Sequence, residues 1–532
     1  MFDGSTGLNE RRGWFDVAVT RMNEQVDTDS ASQQRDVQLS SVPEGMEPWV
    51  LGQLVREIPA DADGQPGIVV HVARDDRRLA QFEAGLAFFA RDVRVLSFPA
   101  WDTVPYDRIG PDAEIVARRI ATLAKLSVGR RKQPTVVLTT VNAILQRVPP
   151  RDFLRASLKQ VAPGQRIDMN RLLARLQLAG FTRTGTVMEP GEYAVRGGIL
   201  DMFPPGRSLP VRLDFFGDTL ESIKSFDPQT QRTIKAVQKV VLMPIAEVAL
   251  GEEATRRFRQ RYVELFGGGH GTDPLYEAVS AGSRYPGQDH WLPLFHDTLE
   301  TLVDYAPDAA VSFDNNADEA VRQRFEQIVE HYEARAESLE AETFGAPPYR
   351  PVPPELMFLD GASWADLLSS RKVYRLSPFD VAESEYVTSW SGQPGRTFAA
   401  ERHSGDVNLF DAVVGHIRKK IAENRRVIVA AWTPGARERL TGLLDDHGLA
   451  DVRRVANFDE ARGLPGKAVS MAELGLERGF ETPDLVVNGE QDILGERLIR
   501  PRRRAKRAAD VLSEATSVSV SDLVEHADHG IG

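Results

Sequence analysis

The chain of 532 residues contains no cysteine. That removes disulfides, thiolate nucleophiles and cysteine-ligated zinc or iron–sulfur centres from consideration. It has no apolar run approaching the roughly eighteen residues that a membrane-crossing helix needs, and it lacks the basic-then-apolar N-terminal pattern of a secretory signal. Positive charge is not in excess. Lys and Arg number 65 against 77 Asp and Glu, for a net charge of -12. That argues against a generic nucleic-acid coat and leaves a local basic patch open. Histidines number only 10, and no HExxH, nucleophile elbow or complete metal set can be assembled. The expectation is a cytoplasmic protein without a catalytic constellation. What is present is ordinary core material: 42% of residues are hydrophobic, over a length that suggests about three or four domains.

The most informative stretch runs from Glu189 to Arg232. Tyr193–Arg196 reads as a strand, broken by Gly197-Gly198. Ile199–Phe203 resumes an apolar run, and Pro204-Pro205-Gly206 turns the chain. Val211–Phe216 alternates with period two, and Gly217-Asp218 closes the next turn. Leu220, Ile223 and Phe226 mark a third strand, and three strands over one apolar face can be stable where a lone hairpin is not. Phe215 and Phe216 cannot face the same side, so one of them is expected in the core.

The blocks GEYAVRGGILDMFPPG, PVRLDFFGD and SFDPQTQR closely resemble a module shared by the bacterial transcription-repair coupling factors (the Mfd family) and the excision-repair protein UvrB. In both, the module binds UvrA. The resemblance implies that two arginines and one aromatic carry that contact, and these fall on Arg196, Arg212 and Phe216. The chemistry is compatible: arginine offers a planar, always-charged fork for carboxylates, and both residue types are enriched among interface hot spots. The plainer reading is that an arginine on an exposed strand is simply solvated.

Elsewhere, strand–helix alternation argues for a parallel sheet. Ile68–Val72, Val93–Phe98 and Thr135–Thr139 read as strands. Between them lie a helix capped by Asp75, burying Leu79, Phe82, Leu86 and Phe89, and a second helix over Glu114–Leu126. Resemblance to UvrB implies a helicase-type RecA-like fold here. A phosphate cradle needs backbone N–H groups at a helix start, a lysine and a hydroxyl. Upstream of Ile68, the segment Asp61–Gly67 supplies none of them. Gly267–Gly271 and Pro465–Ala468 are glycine-containing decoys that read as a loop and a turn. Where a motor would end a strand in Asp-Glu, this chain has Asp314-Asn315, and an amide cannot serve as general base. No nucleotide cofactor is therefore expected; ATP and magnesium belong to the motor of the intact family.

The resulting expectation is an α/β chain: a degenerate RecA-like parallel-sheet domain with an inserted small β-rich module, followed by a second small α/β domain. Its boundaries are a flexible leader at 1–41, the first RecA-like half at 42–153, the UvrA-binding module at 154–239, and the second half at 240–372. A third domain follows at 373–498, then a basic linker at 499–518 and, at 519–532, the start of a polymerase-interacting domain. In residues 497–507 seven of eleven positions are basic. Arg502, Arg503 and Arg504 could bind DNA phosphates, or the run could be a solvated linker. His526 and His529 lack a third ligand type for a metal.

Taken together, the resemblance implies the N-terminal half of a coupling factor, a monomer recruiting UvrA, with RNA polymerase and DNA engaged through parts beyond residue 532. Its UvrA surface, masked by a C-terminal domain in the family, is expected to be available here. Two rivals remain open: a truncated record of a complete ATP-dependent translocase, and a DNA-binding protein using the arginine run.

Overall fold

The computed structural model describes residues 36–248, 250–267, 273–340, 348–403 and 408–495, together with two short strands, Glu525–His526 and Gly530–Ile531. The arginine run, with Arg502, Arg503 and Arg504, lies outside the described residues, as do positions 1–35 of the leader. Among the described residues, no helix is long and apolar enough to cross a membrane.

Four strands open the chain: β1 (Asp36–Ser40), β2 (Ile68–Ala73), β3 (Arg94–Phe98) and β4 (Thr135–Thr140). The helices Glu47–Glu57, Asp76–Phe89 and Ala113–Ser127 connect them. Every residue of β2 and β4 is buried, as expected of parallel strands covered on both faces. Asp75 caps its helix as the sequence predicts, accepting from the Arg78 N–H at 2.8 Å.

The chain then builds a separate layer. It contains β5 (Lys159–Val161), β6 (Thr182–Arg183), β7 (Glu192–Arg196), β8 (Ile199–Met202), β9 (Val211–Phe216), β10 (Thr219–Phe226), β11 (Thr233–Ala236) and β12 (Val240–Leu242). β11-β10-β9-β8-β7-β6 form one six-stranded sheet, and β12 pairs with β5 as a two-stranded ribbon. The helix Met169–Leu178 contributes Leu172 and Leu176 to a core with Tyr193, Leu200, Leu213, Phe215 and Ile223 from one sheet face.

Three further strands return to the first sheet: β13 (Ala310–Phe313), β14 (Val373–Leu376) and β15 (Val387–Ser389). The completed order is β15-β1-β14-β13-β2-β4-β3, with every pairing parallel.

Two expected boundaries change as a result. Asp36–Ser40, read as part of the 1–41 leader, is a sheet strand. β14 and β15, read as part of the third domain at 373–498, hydrogen-bond with the first sheet. Arg375 Nε donates to Asp36 at 3.0 Å across 339 sequence positions. These strands are only three to five residues long, and the strands that β1 and β15 pair with are remote in sequence, so little that is local marks them.

The last unit holds β16 (Gln393–Pro394), β17 (Arg426–Ala431), β18 (Val452–Val455), β19 (Val469–Glu473), β20 (Phe480–Glu481) and β21 (Leu485–Gly489). Their order is β16-β20-β21-β17-β19-β18. This unit shares a core with the first sheet: the Phe89 ring lies 5.5 Å from Phe458 and 6.1 Å from Phe480. Pro465–Ala468 is a turn, closed by the Ala468 N–H donating to the Pro465 carbonyl at 2.9 Å.

Candidate partner-binding site

Two tight hairpins set the geometry of the six-stranded sheet. Gly197-Gly198 joins β7 to β8, with Arg196 opposite Ile199. Gly217-Asp218 joins β9 to β10, with Phe216 opposite Thr219. Gly197 and Gly217 adopt φ of +61° and +57°, which side chains rarely tolerate. A Cβ on Gly198 would meet the Phe215 carbonyl oxygen at 2.6 Å. Since β7 and β9 run in the same direction, both turns lie at one end of the sheet.

The registers place the three candidate residues on one face. Ala194 pairs with Asp201, and Asp201 with Arg212. One row nearer the turns, Arg196 pairs with Ile199, and Ile199 with Asp214. Directly paired residues share a face, and residues two apart on a strand do also. Arg196, Arg212 and Phe216 therefore look out on the same side, opposite the packed core. Arg196 and Arg212 are two strands apart, about 10 Å in the hydrogen-bonding direction. The two phenylalanines divide as alternation requires: Phe215 is 7% exposed and Phe216 is 77% exposed.

The two arginines are held differently. Arg196 is exposed and its Nη2 donates to the Gly185 carbonyl at 2.6 Å. Arg212 donates Nε and Nη2 to the two oxygens of Asp201 at 2.7 and 2.8 Å, and its guanidinium lies 4.8 Å from the Phe226 ring centroid. The hydrogen bonds it donates to Asp201 hold the Arg212 guanidinium more firmly protonated than usual. Asp201 itself is 2% exposed, shielded beside a small cluster of Val187, Ala194, Phe203 and Phe226. The chain over Gly185–Glu189 folds onto this face. Glu192 accepts from the Met188 and Glu189 N–H groups at 2.6 and 2.9 Å, and Gln231 Nε2 donates to the Val187 carbonyl at 3.1 Å.

The sequence reading missed Asp201 and Phe226 as neighbours of Arg212. The available signal was the run Ile199-Leu200-Asp201-Met202-Phe203: a lone aspartate inside an apolar strand requires a buried partner.

The ends of the parallel strands form a second constellation. β1 passes through Ser41–Met46 directly into the helix Glu47–Glu57, the strand–loop–helix order of a phosphate cradle. Asp61–Gly67 leads into strand β2 and not into a helix. Asp61 instead closes a local turn, accepting from the Gln65 N–H at 2.8 Å. Within 41–47 there is no lysine, and Met46 is buried in the core.

Arg78 bridges the Glu47 and Asp314 carboxylates, donating Nε to Asp314 at 3.1 Å. Its guanidinium lies 5.1 Å from the Phe82 ring centroid. With two carboxylates and one guanidinium, the cluster balances when one acid keeps its proton. Burial pushes the Glu47 carboxyl up to about 8, with Arg78 opposing and Asp314 reinforcing. The last unit seals the site: Arg77 pairs with Glu477, and a Cβ on Gly45 would overlap the Arg478 carbonyl at 2.2 Å.

Residues 160–247 match the UvrB interaction domain, the same span that β5 to β12 occupy. Most of the chain is similar to transcription-repair-coupling factors. It is 30% identical to that of Escherichia coli (strain K12), over 90% of this chain and 40% of the relative. It is 27% identical to that of Rickettsia bellii, over 87% of this chain and 40% of the relative. The figures for Bacillus subtilis are 23%, 84% and 38%. The chain thus spans about 40% of the length of the curated relatives it matches.

Proposed function

We propose that this chain is the UvrA-recruiting, N-terminal part of a transcription-repair coupling factor, serving nucleotide excision repair at stalled RNA polymerase. The observation that carries the reading is the placement of Arg196, Arg212 and Phe216 on one sheet face, opposite the packed core, within a module matching the UvrB interaction domain. A strongly exposed phenylalanine beside two guanidinium groups has the composition of an interface hot spot. RNA polymerase and DNA are partners of the longer protein in this reading, and the chain works as a monomer in the cytoplasm.

Nucleotide turnover is not part of the proposal, and no ATP or magnesium is assigned to these residues. In support, an incoming phosphate at the start of the helix Glu47–Glu57 would meet the buried Glu47 side chain instead of a lysine.

The test is binding of the full chain to purified UvrA, beside the double variant Arg196→Ala/Phe216→Ala. Both side chains are exposed, so the variant is expected to fold normally. Its affinity is expected to drop by about a hundred-fold. Equal binding by the two chains would place the contact elsewhere.

A further inference from the structure

Arg212 differs from Arg196 in being fastened at two points to a carboxylate that solvent hardly reaches. We propose that Asp201 is a positioning residue of the partner-binding face, acting through Arg212. This inference rests on the UvrA-recruiting reading. Asp201 takes Nε and Nη2 of the guanidinium in a two-bond fork, and Phe226 backs its plane at 4.8 Å. Nη1 makes a long, 3.4 Å contact to the Gln231 carbonyl. The Arg212 side chain retains 22% exposure against 3% for that of Asp201. The fork thus fixes one edge of the guanidinium on the sheet face that also carries Arg196 and Phe216, and leaves the side chain partly open to solvent.

The physical gain is preorganisation. A free arginine must surrender its rotamer freedom when it meets a partner, whereas one already held does not. The strand register allows little alternative. Asp201 and Arg212 are directly paired across β8 and β9, on the side away from the Leu200–Leu213 core. Asp201 is too buried to touch a partner itself, so its effect must pass through Arg212.

The experiment measures UvrA affinity and thermal unfolding for the full chain and its Asp201→Asn, Arg212→Ala and doubly substituted variants. Asparagine is isosteric and keeps one acceptor, but it cannot form the charged fork. Asp201→Asn is expected to weaken binding by about five- to ten-fold with an unfolding temperature close to that of the parent chain. In the Arg212→Ala background it is expected to add nothing. The Arg212 Nε–H resonance provides a partner-free readout, expected to be protected from exchange in the parent chain and exposed in Asp201→Asn.

Full binding by Asp201→Asn, or losses that multiply in the double variant, would overturn the positioning role while leaving the recruiting function intact. Failure of the parent chain to bind UvrA would overturn the recruiting function, and this role with it. Should Asp201→Asn unfold, Asp201→Glu keeps the charge but displaces the fork. It is expected to fold and to bind less tightly, and full binding by it would likewise overturn the proposal.

Discussion

Arg78 and Arg212 sit in chemically matched settings with different consequences. Each guanidinium donates to both oxygens of a buried aspartate and lies over a phenylalanine ring, at 5.1 Å for Phe82 and 4.8 Å for Phe226. Around Arg78, a second carboxylate and the loop of the last unit close the remaining directions, and the side chain is 7% exposed. Around Arg212 the side chain keeps 22% exposure, and exposed Arg196 and Phe216 share its face. The same three-part arrangement is closed off around Arg78 and stays partly open around Arg212, where we propose that it serves recognition. Arg119 extends the series inward. It pairs with Glu247 at 2.6 Å, lies 4.2 Å from the Phe98 ring and is fully buried.

The comparison is sharpest when both forks are removed. Arg78→Met leaves two carboxylates buried without a cation and is expected to destabilise the chain by about 3–5 kcal/mol. Arg212→Met strands one buried carboxylate beneath a side chain that keeps 22% exposure, for an expected loss of about 1–3 kcal/mol. Chemical denaturation of the two variants tests the ordering, and equal losses would break the distinction between the closed and the partly open setting.

Gly198→Ala probes the frame that sets the Arg212 face. Its Cβ would press on the Phe215 carbonyl at 2.6 Å, so β8 and β9 must separate locally. The expected cost is about 1–3 kcal/mol, accompanied by weaker UvrA binding. Unchanged stability would show that the hairpin tolerates the shift.

A further expected effect concerns pH. Glu47 is raised from its ordinary 4.5 to about 8 in the folded chain, so the folded state binds its proton more tightly than the unfolded state does. The associated stability is fully present below pH 4.5 and is lost as pH rises towards about 8. Glu47→Gln keeps a neutral side chain there and should flatten that decline. A stability–pH profile identical to that of the parent chain would mean that Glu47 is ionised against Arg78 throughout.

Much of the module was legible in advance. Period-two alternation located β9, Gly217-Asp218 marked its turn into β10, and Phe215 and Phe216 separated as alternation demands; Gly197-Gly198, read as a break, is instead the turn between two strands, so four strands stand where three were expected. The helices Asp76–Phe89 and Ala113–Ser127 were likewise readable, because a capping aspartate and a 3.6-residue apolar stripe are local signals. β1, β14 and β15 were not, since each is short and each makes a pairing with a strand hundreds of positions away.

The sequence by itself determined the strand character of the module and that Arg212 and Phe216 would share one side of β9, opposite Phe215. Backbone period and turn chemistry are set within a few residues. Only the tertiary structure decided that Asp201 would grip Arg212, that Arg78 would join Glu47 to Asp314, and that the 475–479 loop would seal the latter cluster. Those outcomes depend on which charges are brought together away from water. A carboxylate and a guanidinium read the same in a sequence whether solvent or another strand lies beside them, and burial alone converts the pair from a solvated surface into a fixed contact.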